Sequence, residues 1–305
     1  MRMLICFCAA LAFASAATEA VADDAPAVLA EADRAVSSPR ALQVVVPQTE
    51  IETTTELGRV PSSAMGGGLL GGLIIASTTD REKQERLTQV LRDKAEAGVA
   101  PLRAELRNFD VDALALATTN AALSKTGWFR AQAVSVSKDP SPQGASAFFH
   151  TSSAPQVAFV TYRYDLSPDF TYIRVNADIV LVRKVRENGV RSAALPKPFY
   201  EQHISSIVQL RSRSYENSEN AASWSMNDGK LAKASLIAAF NQIERLIPVA
   251  LGLGEADLKQ YMSKNRPKGF SAGFYGPLIQ RDQAGSDGLL LWSGGLVHIQ
   301  STQAG

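Results

Sequence analysis

The most regular pattern in the chain is an alternation of apolar and polar residues between positions 172 and 181. Its apolar members, which would share one face of a strand, are Ile173, Val175, Ala177, Ile179 and Leu181. A period of two residues is that of a β-strand with one side in a core. The pattern therefore predicts a strand with one buried face.

Neighbouring runs extend this strand into a sheet. Residues 156–164 alternate in the same way, Ser167-Pro168-Asp169 turns the chain, and residues 200–210 return after Asn188-Gly189. Asn-Gly between two apolar runs is the strongest short signal for a hairpin. We therefore predict a meander of three or four antiparallel strands.

Shorter strands are predicted on both sides of the meander. A valine-rich run covers residues 41–47, and residues 129–137 alternate loosely before a loop at residues 139–144. Residues 288–292 and 296–299 form a predicted hairpin near the C-terminus.

Other apolar residues follow the period of a helix. Thr79 and Glu82 have the spacing of a capping box, so a helix is expected from Asp80, interrupted at Gly98 and Pro101.

Two further helices complete the predicted fold. One covers residues 112–124 and ends at Gly127, and a long one is opened by Asn227-Asp228-Gly229 and ended or kinked by Pro248. Helices grouped before and after a run of strands indicate an α+β fold. Its mainly antiparallel sheet, the meander plus the C-terminal hairpin, would pack against the N-terminal helices, and the long helix would cover the meander's apolar face.

The N-terminus has the pattern of a secretory signal peptide. Arg2 is followed by an apolar run at residues 4–13 and by small-residue cleavage sites after Ala16 and Ala22. We expect a mature chain that begins after one of these two positions.

Charge and cysteine content narrow the function classes. The 305 residues include 31 Lys+Arg and 30 Asp+Glu, which does not match the basic surface that nucleic-acid binding requires. Cys6 and Cys8 both lie inside the signal peptide, so we expect no disulfide and no thiolate in the mature chain. A large secreted chain of this kind suits a bacterial periplasm, with peripheral membrane association as an option.

The most unusual segment is rich in glycine. Gly68, Gly72 and Ala76 are four residues apart, as are Gly67 and Gly71, so a helix here would have a groove of small residues. The apolar run is shorter than the ~20 residues that span a bilayer. Two interpretations stay open, a connection buried in the fold and a segment that lies on a membrane or packs against another copy.

This segment resembles the glycine-zipper regions of bacterial envelope proteins. The short helices followed by the Ser-Pro-Asp hairpin also look like secreted bacterial proteins of unassigned function. The resemblance implies an envelope role and carries no catalytic residues. We divide the chain into a signal peptide (1–22), an N-terminal arm with a short strand (23–63), the glycine-rich apolar segment (64–77) and an α+β domain (78–305).

Candidate catalytic chemistry is sparse. Glu201, His203 and Ser205 are the residue types of a hydrolase triad, but they alternate along one predicted strand. Neighbours two apart on a strand point in parallel directions at ~6.5–7 Å, so we expect a water-facing surface rather than direct hydrogen bonds. His150 and His298 lie far away in sequence, and neither a metal-binding spacing nor a phosphate-binding loop is present. We therefore predict no metal and no cofactor.

Two surface features remain as candidate contacts. A basic hairpin tip is predicted around the Asn-Gly turn, formed by Arg183, Lys184, Arg186 and Arg191. It would touch an anionic lipid or acidic partner, or simply be solvated and discourage edge pairing.

The second feature is an aromatic loop at residues 268–277, in which glycines separate Phe270, Phe274 and Tyr275. These rings would cover the core or dock a ligand.

These observations favour a non-enzymatic, exported envelope protein that acts by binding or assembly. Its partner would be an envelope protein, the membrane surface or a second copy. Two rivals stay open, a periplasmic hydrolase that uses His203 or His298, and a soluble carrier with an apolar ligand beneath the long helix and the aromatic loop.

Overall fold

The computed structural model describes residues 28–35, 39–53, 81–184, 195–264, 266–282 and 287–302. Within these ranges the helices are α1 (Glu31–Ala35), α2 (Arg81–Leu106), α3 (Val111–Ser124), α4 (Pro142–Thr151), α5 (Asn217–Gly252) and α6 (Glu255–Lys264). The strands are β1 (Arg40–Val45), β2 (Glu52–Thr53), β3 (Ala131–Ser137), β4 (Gln156–Leu166), β5 (Tyr172–Arg183), β6 (Tyr200–Gln209), β7 (Lys268–Gly269), β8 (Tyr275–Gly276), β9 (Leu278–Arg281), β10 (Leu289–Trp292) and β11 (Leu296–Ser301).

One mixed sheet organises the chain, in the order β3-β1-β4-β5-β6-β11-β10-β9 with β2 beside β4. The predicted meander is β4-β5-β6, and the predicted C-terminal hairpin is β10-β11. Four joins between the described strands are parallel, namely β1 with β3, β1 with β4, β2 with β4 and β11 with β6. The α+β prediction is therefore confirmed, with a sheet that is mostly antiparallel and partly parallel.

The main core lies between the sheet and the helices α2, α3 and α5. The meander faces α5 with the apolar residues that its alternation predicted, and Phe240 of α5 is fully buried against Tyr162 of β4. Tyr162 also contacts Thr119 of α3, with 2.7 Å between their hydroxyl oxygens. The long helix thus covers the apolar face of the meander, as predicted.

Two helix predictions were wrong in part. We predicted an interruption at Gly98 and Pro101, but α2 runs through both, because Val99 and Leu102 are buried in the main core and Gly98 packs against the Phe170 ring.

The long helix begins where predicted and ends later. Asn227, Asp228 and Gly229 form a left-handed link inside α5, with φ of 54°, 57° and 66°, and the long helical stretch starts directly after them. The prediction missed the shorter helical stretch on the N-terminal side of this link. Pro248 does not end the long stretch, since α5 continues to Gly252.

A third prediction missed a helix. Residues 139–144 were expected to form only a loop, yet Ser141 accepts a hydrogen bond from the Gly144 amide at 3.0 Å and caps α4. Pro142 then occupies the first turn, where its missing N–H costs nothing. A serine-proline pair that reads as a loop signal is here a helix start.

Helix α5 is also, among the described residues, the one helix long and apolar enough to cross a membrane. Of its most apolar stretch, 56% is buried within the fold. Its apolar face is therefore accounted for by the sheet.

Candidate functional site

The side chains of His203 and Ser205 meet directly, contrary to the sequence prediction. His203 Nε2 lies 2.9 Å from Ser205 Oγ, and His203 Nδ1 lies 2.6 Å from the carboxylate of Asp178. The imidazole is long enough to reach along its strand to the residue two positions ahead, which the argument from parallel side chains overlooked. The acid is Asp178, directly opposite His203 on β5, and Glu201 takes no part.

These residues belong to a polar grid of six side chains on the sheet face opposite α5. The grid has two rows across β4, β5 and β6, defined by strand register: Thr161, Asp178, His203 and Arg163, Asn176, Ser205. Arg163 Nη1 lies 3.8 Å from the second oxygen of Asp178. The side chains of Asp178 and His203 are 34% and 39% exposed, so this part of the grid is open to solvent.

Apolar clusters border the grid at both ends of the sheet. On one side α4 packs Phe148 and Phe149 over Val157 and Phe159. On the other side the aromatic loop packs over a cluster that contains Ile207 of β6. The grid is therefore a polar strip between two covered regions.

The hydrogen bonds of Ser205 limit the chemistry of its hydroxyl. Its hydroxyl donates to Asn176 Oδ1 at 2.6 Å, so its oxygen only accepts from His203 Nε2. His203 Nε2 is therefore the donor in its contact with Ser205. In a catalytic triad the direction is reversed, and the serine hydroxyl donates its proton to the histidine Nε2. Ser205 is moreover only 2% exposed.

His298 lies on the opposite sheet face and has a carboxylate partner as well. Its Nε2 is 3.1 Å from Asp282 Oδ2, and its side chain is fully buried. Burial lowers the pKa of His298, against the opposing effect of Asp282 and with a smaller contribution from Arg245. Among the described residues, Nδ1 of His298 and the hydroxyl of Ser206, its register partner on β6, have no hydrogen-bond partner.

Two residues of the predicted basic tip lie in the described part of the chain, and both have partners. Arg183 forms an ion pair with Asp33 and stacks over the Phe199 ring at 4.7 Å. Lys184 donates to the Ser152 carbonyl and lies 5.3 Å from the centre of the Phe149 ring. These contacts tie the end of β5 to α1 and α4. Arg186 and Arg191 lie outside the described residues.

The aromatic loop divides its rings between core and solvent. Phe270 and Phe274 pack against the cluster of Ile207, whereas Tyr275 is 59% exposed. Gly276 holds the loop against the sheet, since a Cβ there would lie 1.8 Å from the Trp292 carbonyl oxygen. The loop and α5 lie on opposite sheet faces, so one apolar ligand cannot lie beneath both, as the carrier hypothesis requires.

The sheet ends at β3 in an open edge that sequence reasoning missed. Within the described ranges, β3 pairs with β1 alone. Ser137 accepts from the Val46 amide, and bonded residues alternate in a parallel ladder, so Ser135 and Ser137 face β1. The N–H and C=O groups of Val134 and Val136 consequently point away from the sheet.

The composition of this edge is unusual for an unpaired strand. Residues 131–137 contain no charge and no proline, and the side chains of Val134 and Val136 are 40% and 41% exposed. Soluble proteins usually blunt long edges with lysine, proline or a bulge. Here pairing with β1 is regular from residue 133 to residue 137, with one irregularity before it.

The other end of the sheet has these protections. Strand β9 is four residues long, follows Pro277 and ends in Arg281. Its pairing with β10 also shifts register between Leu290 and Leu291. Of the two described ends of the sheet, the β9 end is therefore the shorter and the more charged, and a short, charged edge does not accept another strand readily.

The small residues proposed for membrane contact or self-association lie outside the described residues, as do the signal peptide and the Asn188-Gly189 turn; they are Gly67, Gly68, Gly71, Gly72 and Ala76. Comparisons of the chain with protein-family models, with curated proteins and with solved structures find no match.

Proposed function

We propose that this chain is an exported bacterial envelope protein that acts by assembly, accepting a further β-strand at the β3 edge. The observation that carries the proposal is the edge itself, with outward backbone groups and two half-exposed valines in an uncharged stretch. Strand addition supplies affinity through main-chain hydrogen bonds and specificity through alternate side chains.

Export is the part of the proposal that rests on the sequence. The basic residue, apolar run and two cleavage sites at the N-terminus support it. N-terminal sequencing of the protein from the envelope fraction tests it, and the expected first residue is Ala17 or Asp23. A cytoplasmic protein that retains residues 1–22 would contradict export.

The assembly part is tested by photo-crosslinking in intact cells. A benzophenone amino acid replaces Val134 in one variant and Val249 in the other. Val249 is a matched control, because it is a valine on α5 with 41% exposure. We expect a crosslinked product from position 134 and none from position 249. Absence of any product at position 134 would refute the edge as the assembly surface.

The glycine segment needs a test of its own. We expect membrane pellets to retain the protein through a carbonate wash, and deletion of residues 65–76 to release it. Release without loss of the position 134 crosslink would separate membrane attachment from strand addition. Retention of the deleted protein would exclude this segment as the anchor.

One observation favours a second function, hydrolysis. Asp178, His203 and Ser205 are hydrogen-bonded in the order of a catalytic triad, at 2.6 and 2.9 Å. A fluorophosphonate probe tests it, with Ser205→Ala as the variant and Ser206→Ala as its buried neighbour on the opposite face. Because the Ser205 proton faces Asn176, we expect no labelling of Ser205. Labelling lost in Ser205→Ala and kept in Ser206→Ala would establish the hydrolase.

A further inference from the structure

We infer that the strand accepted at the β3 edge is the β3 strand of a second copy of this chain. The inference rests on the proposed function and names its partner. The two β3 strands would run antiparallel across a two-fold axis and join the two sheets into one.

The geometry of the edge selects the register. Outward backbone groups belong to Val134 and Val136, so these residues must form the hydrogen-bonded pairs of an antiparallel ladder. A two-fold axis beside Ser135 places Val134 of each copy opposite Val136 of the other, which gives two hydrogen-bonded pairs. This register also uses the entire regular stretch from residue 133 to residue 137.

The side chains suit this pairing as well. In the chosen register the valines of both copies form one apolar row on the side of the sheet that carries α3. No charged residue occurs in 131–137, so no like charges face each other across the junction. A one-residue slip would place Val134 and Val136 opposite residues whose backbone groups face β1, so the hydrogen bonds across the junction could not form.

Symmetry explains why the assembly would stop at two copies. An antiparallel β3 pair uses the open edge of both chains, and the ends that remain are the guarded β9 edges. A closed, isologous contact of this kind forms dimers, whereas contact between two different edges would continue into a fibre.

Engineered cysteines test the register. Val134→Cys and Val136→Cys chains, with different affinity tags, are co-expressed, oxidised in the envelope and separated without reductant. We expect a disulfide-linked heterodimer that carries both tags, because opposite residues have Cα atoms ~5.5 Å apart. Val134→Cys expressed alone should link far less, since in this register the two residues 134 lie diagonally across the junction, ~7–8 Å apart. The chain without an introduced cysteine is the control. Efficient linkage of Val134→Cys alone would refute this register.

A second experiment tests the surface without introduced sulfur. Sedimentation equilibrium of the purified protein should show a dimer, and Val134→Lys should raise its dissociation constant about tenfold or more, because each interface would then bury two lysines. Val249→Lys, with the same chemical change at the same exposure, should leave it unaltered. If neither variant changed the dissociation constant of the dimer, the β3 dimer would be refuted.

The outcomes separate this inference from the proposed function. A position 134 photo-crosslink with twice the chain mass supports both. A product of another mass, with a monomer in sedimentation, refutes the second copy and keeps strand addition to a different envelope protein. A monomer with no crosslink at position 134 refutes both.

Discussion

The hydrogen bond between Tyr162 and Thr119 gives a sharp test of the energetics beneath the sheet. Thr119 donates its proton to the Ala115 carbonyl at 2.8 Å, so the Tyr162 hydroxyl must be the donor in the 2.7 Å contact between them. Tyr162 is fully buried, and burial raises the pKa of its hydroxyl far above the usual range, so the proton stays in place. The contact is therefore a neutral bond shut off from water.

The two single substitutions have different expected costs. Tyr162→Phe removes the donor and leaves Thr119 still bonded to Ala115, so the free energy of unfolding should fall by only ~1 kcal/mol. Thr119→Val removes the acceptor and leaves a buried hydroxyl proton without a partner, which costs ~2 kcal/mol. The double variant has neither group, so its loss should be about 1 kcal/mol or less. The pair is therefore coupled by ~2 kcal/mol.

Urea unfolding followed by circular dichroism measures this cycle in four proteins. As a control, Thr119→Val is combined with Tyr200→Phe, whose hydroxyl donates elsewhere, to the Ala250 carbonyl at 3.0 Å. The control pair should be additive. If Tyr162→Phe and Thr119→Val were also additive, the unpaired proton would not be the source of the cost and the reasoning would fail.

Three further predictions concern buried and strained positions. Burial lowers the pKa of His298, so below about pH 6.5 the unfolded chain binds a proton that the folded chain does not. The free energy of unfolding should therefore decrease as the pH is lowered, by at most ~1.4 kcal/mol per pH unit. His298→Gln should flatten that slope in urea titrations across pH, and an identical slope would contradict the assignment. Gly276→Ala should lower the unfolding free energy by ~3 kcal/mol through its clash with Trp292, whereas Gly252→Ala, which meets nothing within 4 Å, should be neutral or stabilising by ~0.5 kcal/mol. Asp228→Gly should raise the melting temperature, because glycine adopts a φ of 57° without the ~1 kcal/mol strain of an L side chain. A lower melting temperature would show that the link is not strained.

Sequence reasoning succeeded for those elements in which the order of apolar and polar residues directly indicates which side is buried. The alternation in β5 identified its core-facing residues, because a strand with one buried face must repeat every two positions. The same reasoning failed at α4, where Ser141 and Pro142 signal both a loop and a capped helix start and only packing decides between them. It placed the start of the long helical stretch of α5 correctly but missed the shorter stretch before the left-handed link, since Asn-Asp-Gly does not indicate whether helix precedes it.

Sites formed between strands were beyond this kind of inference. Asp178 joins His203 only because β5 and β6 pair in one particular register, which no single run of sequence contains. The open edge is likewise a property of strand order. Val134 and Val136 look like ordinary strand residues until β1 is found to lie between β3 and β4.

Because β1 lies between β3 and β4, the N-terminal arm holds β3 in the sheet. Strand β1 precedes β3 in the chain, yet it is the strand that joins β3 to the rest of the sheet. The β3 edge therefore depends on contacts between β1 and two strands, β3 and β4, that lie much further along the chain. Loss of β1 by proteolysis would release β3 and turn β4, with its long apolar run, into the new edge. The presence of β1 thus decides which strand lies at this end of the sheet.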